Sequence, residues 1–289
     1  MSTAISHYEN FPVASWILPA RYREPVRLIY AFARQAADFA DEGEIEPAQR
    51  LASLNQFSEQ LDRIENQQPP TIDLFGPLGE TIRAHRLPIR LFRDLLSAFA
   101  QDVHKHRYAD FGEVMDYCRR SANPIGRLLL HLYGETDTRN LAMADGICSS
   151  LQLINFLQDV AVDYAKGRIY LSQDDMARYG ITEAQIARGD AGGMWGLFMH
   201  AQIERARKML QAGAPLGRAL SGRLGMELRM IVVGGERILK KLHERNGDVF
   251  ANLQDPSGRV TSVTSVNLFG DTLVLGSIAM DAIATIPAP

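Results

Sequence analysis

Residues 151–171 read LQLINFLQDVAVDYAKGRIYL, and the way this stretch folds decides the rest of the chain. On a helix, Leu151, Leu153, Ile154, Phe156, Leu157 and Val160 place apolar groups nearly all the way round. Gln152, Asn155, Asp159 and Asp163 recur at steps of three and four residues. Such steps return to one face, so the four side chains form a single polar seam. A helix apolar on every other side is buried, and its seam must find partners. Two carboxylates one turn apart repel each other there, and a proton or a cation relieves the repulsion. An isolated pair of this kind ordinarily belongs to a solvated helix face. The tail Lys166-Gly167-Arg168 shifts the reading, because it sets two cations just beyond the carboxylates. Acid for a metal and base for phosphate is how proteins hold a metal-bound diphosphate.

A second seam lies far upstream. Pro25 suits the first position of a helix running to near Gly43, with Val26, Ile29, Ala33, Ala36 and Ala40 at helical spacing. Its polar positions are Tyr30, Arg34, Asp38 and Asp41: an aromatic ring and a cation followed by two carboxylates. Each aspartate pair alone is a weak signal, and salt-bridged helix faces are the plain alternative. Facing each other across a bundle, the two seams would enclose a chamber with metal sites on both walls. Mg2+ suits such pairs, since it takes one or two carboxylates and fills its shell with water and phosphate oxygens.

The remaining pattern is helical almost throughout. Helices are expected over 47–66, 76–86, 88–105 and 110–121, with a break at Asn123-Pro124, because the residue before proline is pushed out of the helical region. Gly126 allows a close approach there. A short core helix over 128–133, a long one over 140–165, and two more over 195–212 and 224–244 complete an all-α bundle. His104 and His106 sit in a cationic HKHR run and read as solvated surface. The segment 255–289, rich in Val, Thr, Ser and Gly, reads as a loose hairpin or a disordered extension beyond a helical domain of residues 1–254.

Composition narrows the class. With 289 residues, 46% hydrophobic, 22% charged and a net charge of -3, the chain reads as one soluble globular domain. No basic excess points to nucleic acid. Cys118 and Cys148 fit neither a zinc spacing nor a disulfide framework, so a reducing cytoplasm is the default compartment. The opening MSTAISHYENFP lacks the pattern of a signal peptide, and no run of about 18 apolar residues would span a membrane. An apolar substrate drawn from a bilayer leaves room for peripheral contact at its inner face. GxGxxG, GxxxxGK[ST], GxSxG and HExxH are all absent. Paired aspartates in a bundle without these motifs suggest that a metal-bound diphosphate leaves and a carbocation forms in a water-excluding pocket.

Together with YAFARQAADFADEGE (30–44) and YCRRSANPIGRLLLHLYG (117–134), the opening stretch closely resembles the squalene/phytoene synthase family. NPIG and ENFPVASWILP (9–19) look most like its bacterial hopanoid branch, in which presqualene diphosphate becomes hydroxysqualene. The resemblance implies a single isoprenoid-synthase bundle around a central apolar cavity, Mg2+, an isoprenyl diphosphate substrate, and pathway partners before and after the step. It makes Asp159, Asp163, Asp38 and Asp41 the metal ligands. Tyr30, Arg34, Gln152, Asn155, Lys166 and Arg168 become contacts to the metal-diphosphate. Tyr117 matches the family's active-site tyrosine, placed to stabilise the cation, and Asn123 is the expected orienter of the captured water. Three departures stand out: Ala37 replaces the leading aspartate of the first motif, Gln158 stands where many relatives carry arginine, and the tail is unlike the family. Asp38, Asp41 and Glu42 remain on the first wall. Head-to-head condensation of two prenyl diphosphates and a non-catalytic assembly role are the alternatives.

Overall fold

The structure is a computed structural model that describes residues 19–41 and 45–249, with the backbone of three strands between 263 and 287. The first part of the chain forms α1 (Ala20–Asp41), α2 (Pro47–Glu65), α3 (Phe75–His85), α4 (Ile89–Asp102), α5 (Phe111–Ser121) and α6 (Asn123–Tyr133). Then come α7 (Thr138–Gln158), α8 (Val160–Ala165), α9 (Gln173–Arg178), α10 (Glu183–Ala187), α11 (Trp195–Gly213), α12 (Leu216–Ala219) and α13 (Gly222–Glu244).

Helix α7 is buried because so much of its surface is apolar: Met143, Ala144, Ile147, Leu153, Ile154, Phe156 and Leu157 are all buried. It packs most extensively against α11, and glycine sets how closely. A Cβ on Gly213 would come within 2.5 Å of the Met143 carbonyl oxygen, and one on Gly146 within 3.2 Å of the Met209 carbonyl oxygen. Only a residue without a side chain lets two backbones meet at this distance. Gly126 of α6 serves the same end against α7, as expected, for a Cβ there would stand 2.5 Å from Cys148 Sγ.

Around this pair lies one apolar core, with Trp195, Phe198, Met199, Ile203 and Leu210 of α11 all fully buried. A second core joins α1–α4 to α6. At its centre the Phe32 ring meets Phe57, Phe75 and Phe92 at 5.6, 5.8 and 5.1 Å between centroids. The site described below sits where these two cores meet.

Four boundaries differ from the sequence-based expectation. Pro25 does not open α1 but lies inside it, five residues after Ala20. The ladder bond it cannot make would have gone to the carbonyl of Arg21, an exposed residue that water can serve. The break before Pro124 falls one residue earlier, at Ala122 (φ -114°, ψ -48°), and α6 starts at Asn123 instead of Leu128. Proline acts there as a helix starter, a position its fixed φ favours. The long helix begins at Thr138, where the Asp137 carboxylate accepts from Asn140 N at 2.9 Å, and it is interrupted at Asp159 (φ -101°, ψ 12°). Helix α4 ends at Asp102, so His104 and His106 fall in a loop, exposed as expected. Helices α9, α10 and α12 have no counterpart in the sequence pattern, because six residues or fewer carry no readable period.

Beyond the bundle the backbone runs as an antiparallel meander of β1 (Val263–Phe269), β2 (Thr272–Ser277) and β3 (Ile283–Pro287). Phe269 faces Thr272 across the first turn, and Leu273 faces Ile286 across the second pair. Among the described residues no helix is long and apolar enough to cross a membrane.

Candidate active site

Both polar seams are half-buried except at Asp41, which is exposed at the end of α1. On α1, the Arg34 guanidinium binds the Asp38 carboxylate one turn on at 2.6 Å. Tyr30 and Ala37 share this half-buried side of the helix. Asp41, at the end of α1, reaches a different cation: Arg168 Nη1 donates to its Oδ1 at 2.5 Å. This ion pair spans 127 positions of chain and fastens α1 to the segment after α8. Asp41 of the first seam thus lies beside the segment that follows the second, close enough for its charge to act on Asp163. Glu42 lies outside the described residues.

The segment carrying Lys166 and Arg168 is held in place by its own backbone. Gly167 takes φ +79°, a left-handed value that glycine adopts without strain. Its carbonyl accepts from Arg107 Nη1 at 2.6 Å, Arg168 N donates to Asp163 O at 2.8 Å, and Ile169 N donates to His106 O at 3.0 Å. Lys166 stands exposed beside it. Asp163 is pushed up to about 8. Burial is the largest cause, repulsion from Asp159 the next, and Arg168 and Lys166 pull the other way. Burial and the neighbouring acid thus favour the uncharged form of Asp163, and a bound cation would favour the charged one.

A buried carboxylate that sequence reasoning misses completes the group. Asp102, 4% exposed, accepts from the Tyr117 hydroxyl at 2.7 Å and from the Tyr170 hydroxyl at 3.4 Å. Arg168 Nη2 donates to its backbone oxygen at 3.4 Å. Burial raises the Asp102 carboxyl to about 7, against the pull of the Tyr117 hydrogen bond and of Arg168. The signal lies in α4: Leu91, Leu95, Ala98 and Asp102 follow one another at steps of four, three and four, so a lone acid ends an apolar stripe. Around it the rings of Tyr108, Tyr117, Phe156 and Tyr170 pack together, Phe156 on Tyr170 at 4.0 Å and nearly parallel.

The other expected residues are placed less centrally. Asn123 is buried, and its Oδ1 accepts from Ser149 Oγ at 2.8 Å, bracing α6 against α7. Gln152 and Asn155 lie half-buried along the α7 seam. Gln158 buries its Oε1 with no hydrogen-bond partner among the described residues. A cavity of about 20 Å³ touches Leu153, Phe156, Leu157 and Tyr170. It has room for about one water and is far too small to be the chamber for an isoprenoid chain.

Among the described residues no three or more His, Cys, Asp or Glu side chains gather as a metal-binding group. The donor set still fits Mg2+. It is all oxygen, and Asp159 with Asp163 sets two carboxylates one turn apart, a pair that needs only water and phosphate to complete a Mg2+ shell. On the α1 wall the fit is conditional, because Asp38 and Asp41 already hold Arg34 and Arg168.

The sequence profile of squalene/phytoene synthases matches residues 5–264. The chain belongs to that family. Its members are isoprenoid synthases acting on diphosphates, and the protein is an enzyme of this kind. It is 35% identical over 240 residues to a hydroxysqualene synthase of Rhodopseudomonas palustris, spanning 82% of this chain and 80% of the relative. It is 36% identical over 245 residues to one of Zymomonas mobilis, spanning 82% and 78%. The crystal structure of squalene synthase HpnC from Alicyclobacillus acidocaldarius superposes with a TM-score of 0.76 at 33% identity, covering 83% of this chain and 90% of that one. The helical body is thus the family's all-α fold.

Proposed function

We propose that the protein ionises presqualene diphosphate and captures water, releasing hydroxysqualene and diphosphate. The observation that carries this reading is the meeting of Asp41, Asp163 and Arg168 at one place, with Asp159 one turn away and Lys166 beside them. The likeness to two hydroxysqualene synthases at 35% and 36% identity supports the choice of reaction within the family.

Mg2+ would be held by Asp159 and Asp163, with Asp38 and Asp41 joining from α1, and would supply Lewis-acid help to the departing diphosphate. Arg168 and Lys166 share the diphosphate's charge, and Arg34 becomes available to it when Asp38 turns to the metal. The C–O bond breaks with its electron pair leaving on the diphosphate. Water adds to the rearranged cation and gives up a proton, so an alcohol forms without a reductant. Tyr117, fixed by its hydrogen bond to Asp102, offers a ring face to the cation, and Phe156 and Tyr170 extend that aromatic wall. Tyr30, Gln152 and Asn155 line the seam as polar contacts to the metal-diphosphate. Asn123 is the proposed orienter of the water through its amide N–H2, its oxygen being taken by Ser149.

The likeness to a squalene synthase favours a second reading, head-to-head condensation of two prenyl diphosphates. One incubation separates the two. Hydroxysqualene formed from presqualene diphosphate and Mg2+ without NADPH, read by mass spectrometry, is the expected result. Consumption of farnesyl diphosphate alone selects the condensing reading, and no turnover of either overturns both.

A further inference from the structure

We propose that the outer face of α13, with the start of α11 beside it, docks the protein onto an anionic lipid surface. Six large apolar side chains stand exposed among the described residues, and four of them belong to the start of α11 or to α13. They are Met194 and Leu197 at the start of α11, and Met226 and Val233 on α13. The start of α11 is tied to the end of α13: Trp195 Nε1 donates to Gly247 O at 2.7 Å, and the His200 and His243 rings lie 4.9 Å apart.

On α13 the order Arg223, Met226, Met230, Val233, Arg237, Lys240 advances by steps of three and four, so these residues form one stripe. The opposite side carries Gly225, Gly235, Leu239 and Leu242 into the core. The stripe is apolar in the middle and cationic at both ends. Arg223, Arg237 and Lys241 have no acidic partner among the described residues, and Lys240 reaches Glu244 only at 3.7 Å. Of the other acids on α13, Glu236 accepts from Arg207 at 3.2 Å and from Gln211 at 3.1 Å, and Glu227 is buried, which leaves Glu244 as the one exposed acid at the end of the stripe among the described residues. A helix of this make lies in a headgroup layer, its apolar groups at the acyl boundary and its cations on lipid phosphates. A second copy of the chain is the rival occupant of this face, and the sedimentation arm of the test below reads it.

The proposal rests on the proposed reaction only for its motive, since a thirty-carbon product leaves more readily into a bilayer than into water. The test is flotation of the full chain with phosphatidylglycerol/phosphatidylcholine vesicles, and with phosphatidylcholine alone, at low and high salt. Binding to the anionic vesicles that salt weakens is expected. Met226→Ser with Val233→Ser, and separately Arg237→Glu with Lys240→Glu, should each lower it about tenfold. Both variants should keep their circular dichroism and their turnover of presqualene diphosphate dissolved in detergent. Absence of flotation, equal flotation of wild type and variants, or a dimer in sedimentation that these substitutions dissociate would overturn it. Detergent turnover is read separately, so a protein that floats and does not turn over refutes the reaction and leaves the docking face standing.

Discussion

Replacing Asp163 by asparagine should make the metal-free protein more stable while removing its activity. The structure sets both the sign and the size. Burial and the Asp159 carboxylate raise the Asp163 carboxyl from 3.8 to about 8. The folded state therefore holds a proton that the unfolded chain releases, and the wild type loses stability as pH rises from about 4 to about 8. At 1.36 kcal/mol per pH unit the full effect would be about 6 kcal/mol. Asp163 is only half-buried, so access of water screens much of it, leaving about 2–3 kcal/mol. For a helical body of this size that corresponds to a melting temperature higher by about 5–8 °C. The amide introduced by the substitution would be the same size as the protonated acid and carry no charge at any pH. The gain of Asp163→Asn over wild type should thus be absent near pH 4, grow through neutrality and level off above pH 8. Thermal melts from pH 4 to 9 in the presence of a chelator measure it directly. Equal or lower melting of the variant at pH 8 would refute the claim that burial and Asp159 disfavour the charged form of Asp163. Turnover in the same variant should fall by at least about a hundredfold, because the group lost is one of the proposed metal ligands.

Arg168→Gln should lower affinity for a diphosphate analogue by about tenfold or more, as a charge-assisted contact is removed, and calorimetric titration reads it. Asp102→Ala leaves the buried Tyr117 hydroxyl without its acceptor and should cost about 1–3 kcal/mol in urea unfolding, whereas Asp102→Asn keeps an acceptor and should cost less. If Tyr117 depends on that bond for its position, the alanine variant should also lose kcat with little change in KM. Gly213→Leu, which drives a side chain into the Met143 carbonyl and Ile147, should unfold the α7–α11 pair and yield insoluble protein or a melting point lower by several degrees.

What the sequence discloses and what it hides follow from the range of the forces involved. The seams on α1 and α7 are legible because side chains three and four apart share a helix face whatever else the chain does. That Asp38 and Asp41 spend their charge on Arg34 and Arg168 is not, because an acid seam looks the same whether its partner is a metal or an arginine. Asp102 escapes notice because it is a single polar position closing a good apolar stripe, and only burial makes it unusual. The interruption at Asp159 has no local marker: neither glycine nor proline stands there, so the pattern reads straight through it. Pro25 and Pro124 mislead in opposite ways, one suggesting a start while sitting inside a helix, the other a stop while opening one.

The bond between Arg168 and Asp41 makes the resting protein its own competitor. An anion that takes the guanidinium strands a carboxylate, and a cation that takes the carboxylate strands a guanidinium, so either guest alone is met with a penalty. A guest bearing both signs satisfies the two hosts at once. Cation and phosphate should accordingly help each other bind, each tightening the other by the same factor, without any moving part beyond one pair of side chains letting go.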